Sequence, residues 1–267
     1  MSDYLRFLLW PFVACMVLVG IHVYFGLHVI RRGIIFVDLS LAQVAALGMT
    51  VSMLLGFPTD GEVSYLFSLG SALLGATIFT CTREMKGKIP QEAVIGIVYA
   101  VSTAAAIMAV SHSPEGAEHI RHLLIGSILT VTPAMVLKTA GLYAVVGGFH
   151  FLFRKQFLGL TFGNGSAPSR PFCWEFLFYA SFALVVTSSV KICGVLLVFI
   201  FLVVPSVFGA IMTDSIGKRL TLGWIFGLVG SAIGLVLSFV LDTPTGATIV
   251  CTFGLALLLV ALARKLH

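Results

Sequence analysis

What this chain has least of is charge. Only 10% of its 267 residues are Asp, Glu, Lys or Arg, against 59% hydrophobic residues, and the mean hydropathy is +1.08. A water-soluble core is excluded by that balance, which is the composition of an integral membrane protein. Cysteine motifs are missing too: Cys15, Cys81, Cys173, Cys193 and Cys251 are scattered without CxxC spacing, so neither a zinc cluster nor a disulfide framework is indicated. No G-x-x-x-x-G-K-[ST] occurs, and the chain therefore does not cradle nucleotide phosphates by that motif. HExxH is absent as well. The N-terminal stretch MSDYLRFLLWPFVACMVLVG has no A-x-A cleavage site and is expected to be retained as a first span.

What the chain does have is apolar runs near the length that crosses ~30 Å of hydrocarbon as a helix. Nine spans are predicted, roughly over 7–29, 36–56, 63–82, 92–111, 133–153, 172–189, 193–213, 220–241 and 246–263. The expected fold class is all-α integral membrane: one transmembrane domain over 1–267, a polytopic bundle of eight or nine transmembrane helices with a short half-helix or re-entrant segment.

The distribution of Lys and Arg supports this drawing, because cytoplasmic connections carry the excess. Arg31, Arg32, Arg83, Lys86, Lys88, Arg154, Lys155, Arg170, Lys218, Arg219, Arg264 and Lys265 fall on one side, twelve of the sixteen basic residues. Arg6, Arg121 and Lys191 fall on the other, and Lys138 sits near a span end from which its stem can snorkel. The C-terminus is thus expected in the cytoplasm and the N-terminus outside. The net charge of +5 is explained by this asymmetry, and nucleic acid is not implied.

Residues 119–153 are too long for one span and are interrupted by Thr130, Thr132 and Pro133. Two crossings there would reverse every later connection, so one crossing plus a short helix or re-entrant piece is expected, sheltered by protein. Gly70, Ser71 and Gly75, and Gly223, Gly227, Gly230 and Gly234, lie at intervals that allow close helix packing. Pro205, inside an apolar run, removes a helix hydrogen bond and is a candidate hinge. The connection FRKQFLGLTFGNGSAPSRPFCWEF is rich in Gly, Ser and Pro; it reads as an exposed linker or as a docking surface for a cytoplasmic partner.

Two places concentrate polar chemistry. In HSPEGAEHIRHLLIGSILTVT, residues 112–132, a helix starting at Ser113 and Pro114 would set Glu115, Glu118, His119 and His122 at spacings of three, four and seven, on one face. Imidazole with carboxylate suits zinc, manganese or ferrous iron, and makes these residues candidates for a metal stop at the outer mouth, above all Glu118, His119 and His122. A solvated surface helix is the other reading. The second place is Asp38 in GIIFVDLSLAQVAALG, followed by Ser40 and Gln43. An acid entering a membrane helix faces protein or a water-filled path, or else caps the helix from the interface. His22 and His28, six residues apart, do not face the same way and make a poor haem pair.

Several segments in order resemble the permease subunits of bacterial ATP-binding-cassette importers for zinc, manganese and iron. They are GIIFVDLSLAQVAALG (33–48), IGIVYAVSTA (95–104), HLLIGSILTVT (122–132), CGVLLVFIFLVVPSVFGA (193–210) and LDTPTGATIV (241–250). The resemblance implies a paired inner-membrane permease, holding no cofactor itself, with cytoplasmic ATPases beneath that use ATP, and a periplasmic or lipid-anchored metal-binding protein above. It also implies that residues 154–171, with Arg154, Lys155 and Arg170, form the ATPase docking loop, and that Asp38 and Gln43 stand near the transport path. Many members of that family carry His at the position of Gln43 and Asp at that of Leu39, with Asp38 one place earlier. The docking loop, LTFGNGSAPSRPF, also departs from the family's acidic, alanine-containing pattern. The competing classes are an ion-gradient carrier, which would show broken helices in repeated halves, and a membrane metalloenzyme or haem protein.

Overall fold

The computed structural model describes residues 2–59, 61–83, 89–111, 126, 128–163 and 168–265, with side chains described from residue 8 to residue 264. The helices are α1 (Ser2–Arg32), α2 (Val37–Leu54), α3 (Glu62–Arg83), α4 (Gln91–Val110), α5 (Pro133–Leu152), α6 (Arg154–Phe162), α7 (Pro171–Met212), α8 (Ile216–Leu241) and α9 (Thr245–Lys265), with a 3₁₀ turn at Ile128–Thr130. All but α6 are long and apolar enough to span a membrane, eight among the described residues. Helices suit this setting because each satisfies its own backbone where no water is available to do so.

α7 contains both the sixth and the seventh expected spans. Its 42 residues are two helices joined across a kink, each about the length that crosses the hydrocarbon. The break between them falls at Gly194 (φ 74°, ψ 165°), next to the connection expected between residues 189 and 193. Pro205, by contrast, lies within a continuous helical stretch.

The chain forms two compact units, each assembled from separate stretches of sequence. The first comprises Met1–Ile30, Leu124–Tyr143 and Ile192–His267. Within it the α8 glycines bring four neighbours close: a Cβ on Gly223 would lie 2.6 Å from Val23, on Gly227 2.5 Å from Val19, on Gly230 2.7 Å from Phe253 and on Gly234 2.9 Å from the Ile249 backbone. The same glycine row therefore packs α1 at one end and α9 at the other. On α1, a Cβ at Gly26 would stand 2.1 Å from the Leu202 carbonyl oxygen, beside which the Ser206 hydroxyl donates 3.1 Å to the Val23 carbonyl. The LDTPTG segment closes the α8–α9 turn: Asp242 takes a left-handed conformation (φ 50°), Ser238 donates 2.7 Å to the Thr243 carbonyl and its hydroxyl lies 2.7 Å from that of Thr245.

Also in this unit is the irregular piece expected before α5. Gly126 (φ 65°) approaches the α7 break so closely that a Cβ would meet the Cys193 carbonyl carbon at 2.1 Å and the Gly194 nitrogen at 2.3 Å. Ile128 and Val131 are buried beside it in sequence. Non-helical backbone here is sheltered by protein, as a membrane setting requires.

The second unit comprises Arg31–Leu123 and Ala144–Lys191. α2 and α3 meet through Gly48, where a Cβ would lie 2.4 Å from the Ser71 hydroxyl, and Ser68 donates 2.8 Å to the Ala45 carbonyl. Gly70, by contrast, faces open space. Phe79, Phe157, Phe178, Tyr179 and Phe182 are fully buried and form the aromatic core.

Candidate functional site

Asp38 occupies the first turn of α2 and is 1% exposed. Neither carboxylate oxygen accepts a hydrogen bond of good geometry; the nearest donors, the amides of Asp38 and Leu39, belong to its own helix end, and Glu92 lies within electrostatic reach. Glu92, in the first turn of α4, accepts the Phe36 amide on Oε1 at 3.1 Å, capping α2 from another helix, while its Oε2 is buried without a partner. Two helix N-termini thus carry adjacent carboxylates, an arrangement favoured by the helix dipoles. Burying ionised oxygens without partners is costly, and a cation or a shared proton relieves that cost. Three free oxygens suit a hard divalent ion that keeps part of its water shell. Among the described residues no group of three or more His, Cys, Asp or Glu side chains could enclose a metal.

Gln43 is also buried on α2. It lies five residues beyond Asp38, about 140° around the helix, so the two expected path residues do not share a face. Further along α2, Ala45, Ala46 and Met49 join Tyr65, Ser68, Thr187 and Lys191 around a cavity of about 20 Å³, room for about one water. The Thr187 hydroxyl, buried without a partner, is the group such a water would satisfy.

Of the docking connection, residues 154–162 are the helix α6, closed by Gly163 in the left-handed conformation (φ 69°). Arg154, Lys155 and Arg170 are exposed, and the Arg154 guanidinium lies 4.7 Å from the centre of the Phe151 ring. α6 is anchored by Phe157, which stacks on His150 at 4.0 Å and meets Trp174 edge-on at 5.6 Å. At its far end Thr161 accepts a hydrogen bond from Arg32 Nε at 2.9 Å. Arg32 Nη1 in turn bonds Glu175 Oε1 at 2.6 Å, and Arg83 Nη1 bonds the same oxygen. Gln91 completes this layer by donating 3.1 Å to the Phe79 carbonyl and 2.8 Å to the Tyr179 hydroxyl.

Glu115, Glu118, His119 and His122 lie outside the described residues. Sequence reasoning passed over Glu92 and Glu175. Glu92 had one available signal: it follows Pro90 in the first turn of a span running in the same direction as the span of Asp38. Glu175 had a similar one, being the single acid in the apolar opening of α7.

The description "ABC 3 transport family" matches residues 4–264. The chain is 26% identical over 230 residues, 84% of this chain and 79% of the relative, to the manganese transport system membrane protein MntC of Listeria monocytogenes. It is 26% identical over 206 residues, 76% of this chain and 68% of the relative, to the chelated iron transport system membrane protein YfeC of Yersinia pestis. Its fold superposes on a chain of PsaBC from Streptococcus pneumoniae, solved in complex with Fab, with a TM-score of 0.78 at 21% identity, covering 97% of this chain and 93% of that one.

Proposed function

This chain belongs to the ABC 3 transport family, and on that footing we propose that it is the membrane subunit of an ATP-driven importer for a divalent metal ion: zinc, manganese or iron. The observation that carries this reading is the Asp38–Glu92 pair, in which both Asp38 oxygens and Glu92 Oε2 are buried without a well-formed hydrogen bond. The relatives named for manganese and chelated iron transport support the same cargo class. Asp38, with Glu92 beside it, holds the ion transiently, Gln43 standing on another face of α2; a path must bind weakly enough to release its ion. ATP is hydrolysed by a separate cytoplasmic subunit, since the chain has no phosphate-cradling motif. That subunit docks on α6 and the connection after it, around Arg154, Lys155 and Arg170. A second permease copy or paralogue completes the pore, a periplasmic or lipid-anchored protein delivers the metal, and the C-terminus lies in the cytoplasm of a bacterial inner membrane.

The test is co-reconstitution with the ATP-hydrolysing partner in liposomes. Uptake of Mn²⁺, Fe²⁺ or Zn²⁺ that requires ATP on the partner's side is the expected result. Metal uptake by the chain alone, driven by an ion gradient, would instead establish a secondary carrier.

The outer-mouth residues give a narrower prediction. Replacing His119 and His122 together with Ala is expected to raise the Mn²⁺ concentration for half-maximal uptake by about tenfold, one lost ligand pair at a weak site being worth about 1.4 kcal/mol. ATPase assembly should be unaffected. Uptake curves that superimpose on the parent's across the concentration range would reduce the cluster to a solvated surface.

A further inference from the structure

We propose that Arg32 is a positioning residue that couples the docking helix α6 to the transport helices through Glu175. The proposal rests on the reading of residues 154–171 as the ATPase contact.

α6 is held in two ways, and they differ in kind. Phe157 is packed among His150, Trp174 and Phe178, an apolar contact that keeps α6 seated but specifies its register weakly. Thr161, four residues on and therefore on the same helix face, is held by a directional bond to Arg32 Nε. A small push on α6 can slide past an aromatic contact. It cannot pass a hydrogen bond without either moving Arg32 or breaking it.

Arg32 is suited to carry that push. Its side chain is 3% exposed, and its fork reaches two elements at once: Nε to Thr161 on α6 and Nη1 to Glu175 on α7. The guanidinium carbon also sits 3.9 Å from the centre of the Phe178 ring, again on α7. Glu175 is shared with Arg83 at the end of α3. One side chain therefore connects the end of α1, α6 and the base of α7, with α3 reached through the common carboxylate.

The junction also has an internal asymmetry. Both guanidinium groups crowd onto Glu175 Oε1, while Glu175 Oε2 and Arg32 Nη2 are buried without partners. Rotation of that carboxylate gives each guanidinium its own oxygen. The same three side chains thus admit a second pairing besides the shared one, as a transmitting element requires. A purely structural ion pair would need only one arginine beside one carboxylate. The surplus arginine is the one attached to α6.

Neutralising Arg32 leaves Glu175 paired with Arg83, so the fold is expected to survive the change. The experiment uses the chain assembled with its ATP-hydrolysing partner in liposomes, with Mn²⁺ uptake and ATP hydrolysis measured on the same sample. R32Q is expected to lower the manganese carried per ATP by about tenfold or more while hydrolysis stays within about twofold of the parent, as loss of a coupling energy between sites predicts. R32K keeps the charge but not the two-armed fork, and should not restore the ratio. T161V removes only the α6 arm and should lower the ratio about threefold, the worth of one hydrogen bond. Parallel falls in uptake and hydrolysis, full restoration by R32K, or an unchanged ratio in both R32Q and T161V would each overturn the proposal. A parent complex that carries no metal fails the transport reading itself, whereas a transporting parent beside an equally coupled R32Q fails only the junction.

Discussion

An Asp38→Asn chain is expected to fold at least as stably as the parent while carrying about tenfold less metal or lower still, the loss that follows when a charged ligand in a transport site becomes a neutral one. The two halves of this expectation have one source. A carboxylate buried at the start of α2 with no hydrogen-bond partner opposes folding, so an isosteric amide relieves the protein of a charge. The metal loses the same charge. Thermal melting of the purified complex and initial rates of radiolabelled Mn²⁺ uptake measure the two effects separately. Glu92→Gln is the companion variant: its amide oxygen can still accept the Phe36 amide that Glu92 Oε1 holds now, so the α2 cap survives while the second charge goes. A loss of stability together with unaltered transport in Asp38→Asn would return Asp38 to a helix-end role.

Gly126→Ala is expected to be the most damaging glycine-to-alanine change among the described residues. The residue combines a left-handed backbone (φ 65°) with a Cβ position 2.1 Å from the Cys193 carbonyl carbon. Left-handed strain adds about 1 kcal/mol, and overpacking against backbone that cannot swing aside adds about 1–3 kcal/mol. A total of about 2–4 kcal/mol is a large part of a typical folding free energy. The yield of monodisperse protein and its melting temperature should both drop sharply. Gly20→Ala is the control, because a Cβ there meets nothing within 4 Å, and it should behave as the parent. Equal behaviour of the two variants would show that the segment around Gly126 does not seat against the α7 break.

Much of this fold was legible as hydropathy, since every predicted span corresponds to a helical stretch. The small residues of α8 were legible as packing positions, and all four meet a neighbour at close range. So was the break in α7, which the expected spans placed between residues 189 and 193 and which falls at Gly194. Gly194 supplies the positive φ that the break needs, while Pro205 lies within a helical stretch. Among site residues, Asp38 stood out because a lone acid in an apolar helix is conspicuous. Glu92 and Glu175 did not, because each acquires its meaning from residues 56 and 143 positions away, Phe36 and Arg32. Periodicity along one helix carries no information about which other helix arrives beside it.

The discontinuous composition of the first unit also sets an order of manufacture. The Val23 carbonyl waits for a hydroxyl 183 residues downstream, and the Gly20 carbonyl for an indole 204 residues downstream. At bacterial synthesis rates of ~5–20 residues per second, that separation is roughly 10–40 s. Meanwhile α2, α3 and α4, neighbours in sequence, can settle against one another within moments of leaving the ribosome. α1 must therefore rest in lipid or beside the insertion machinery, its Gly26 surface uncovered, until α7 and α8 arrive.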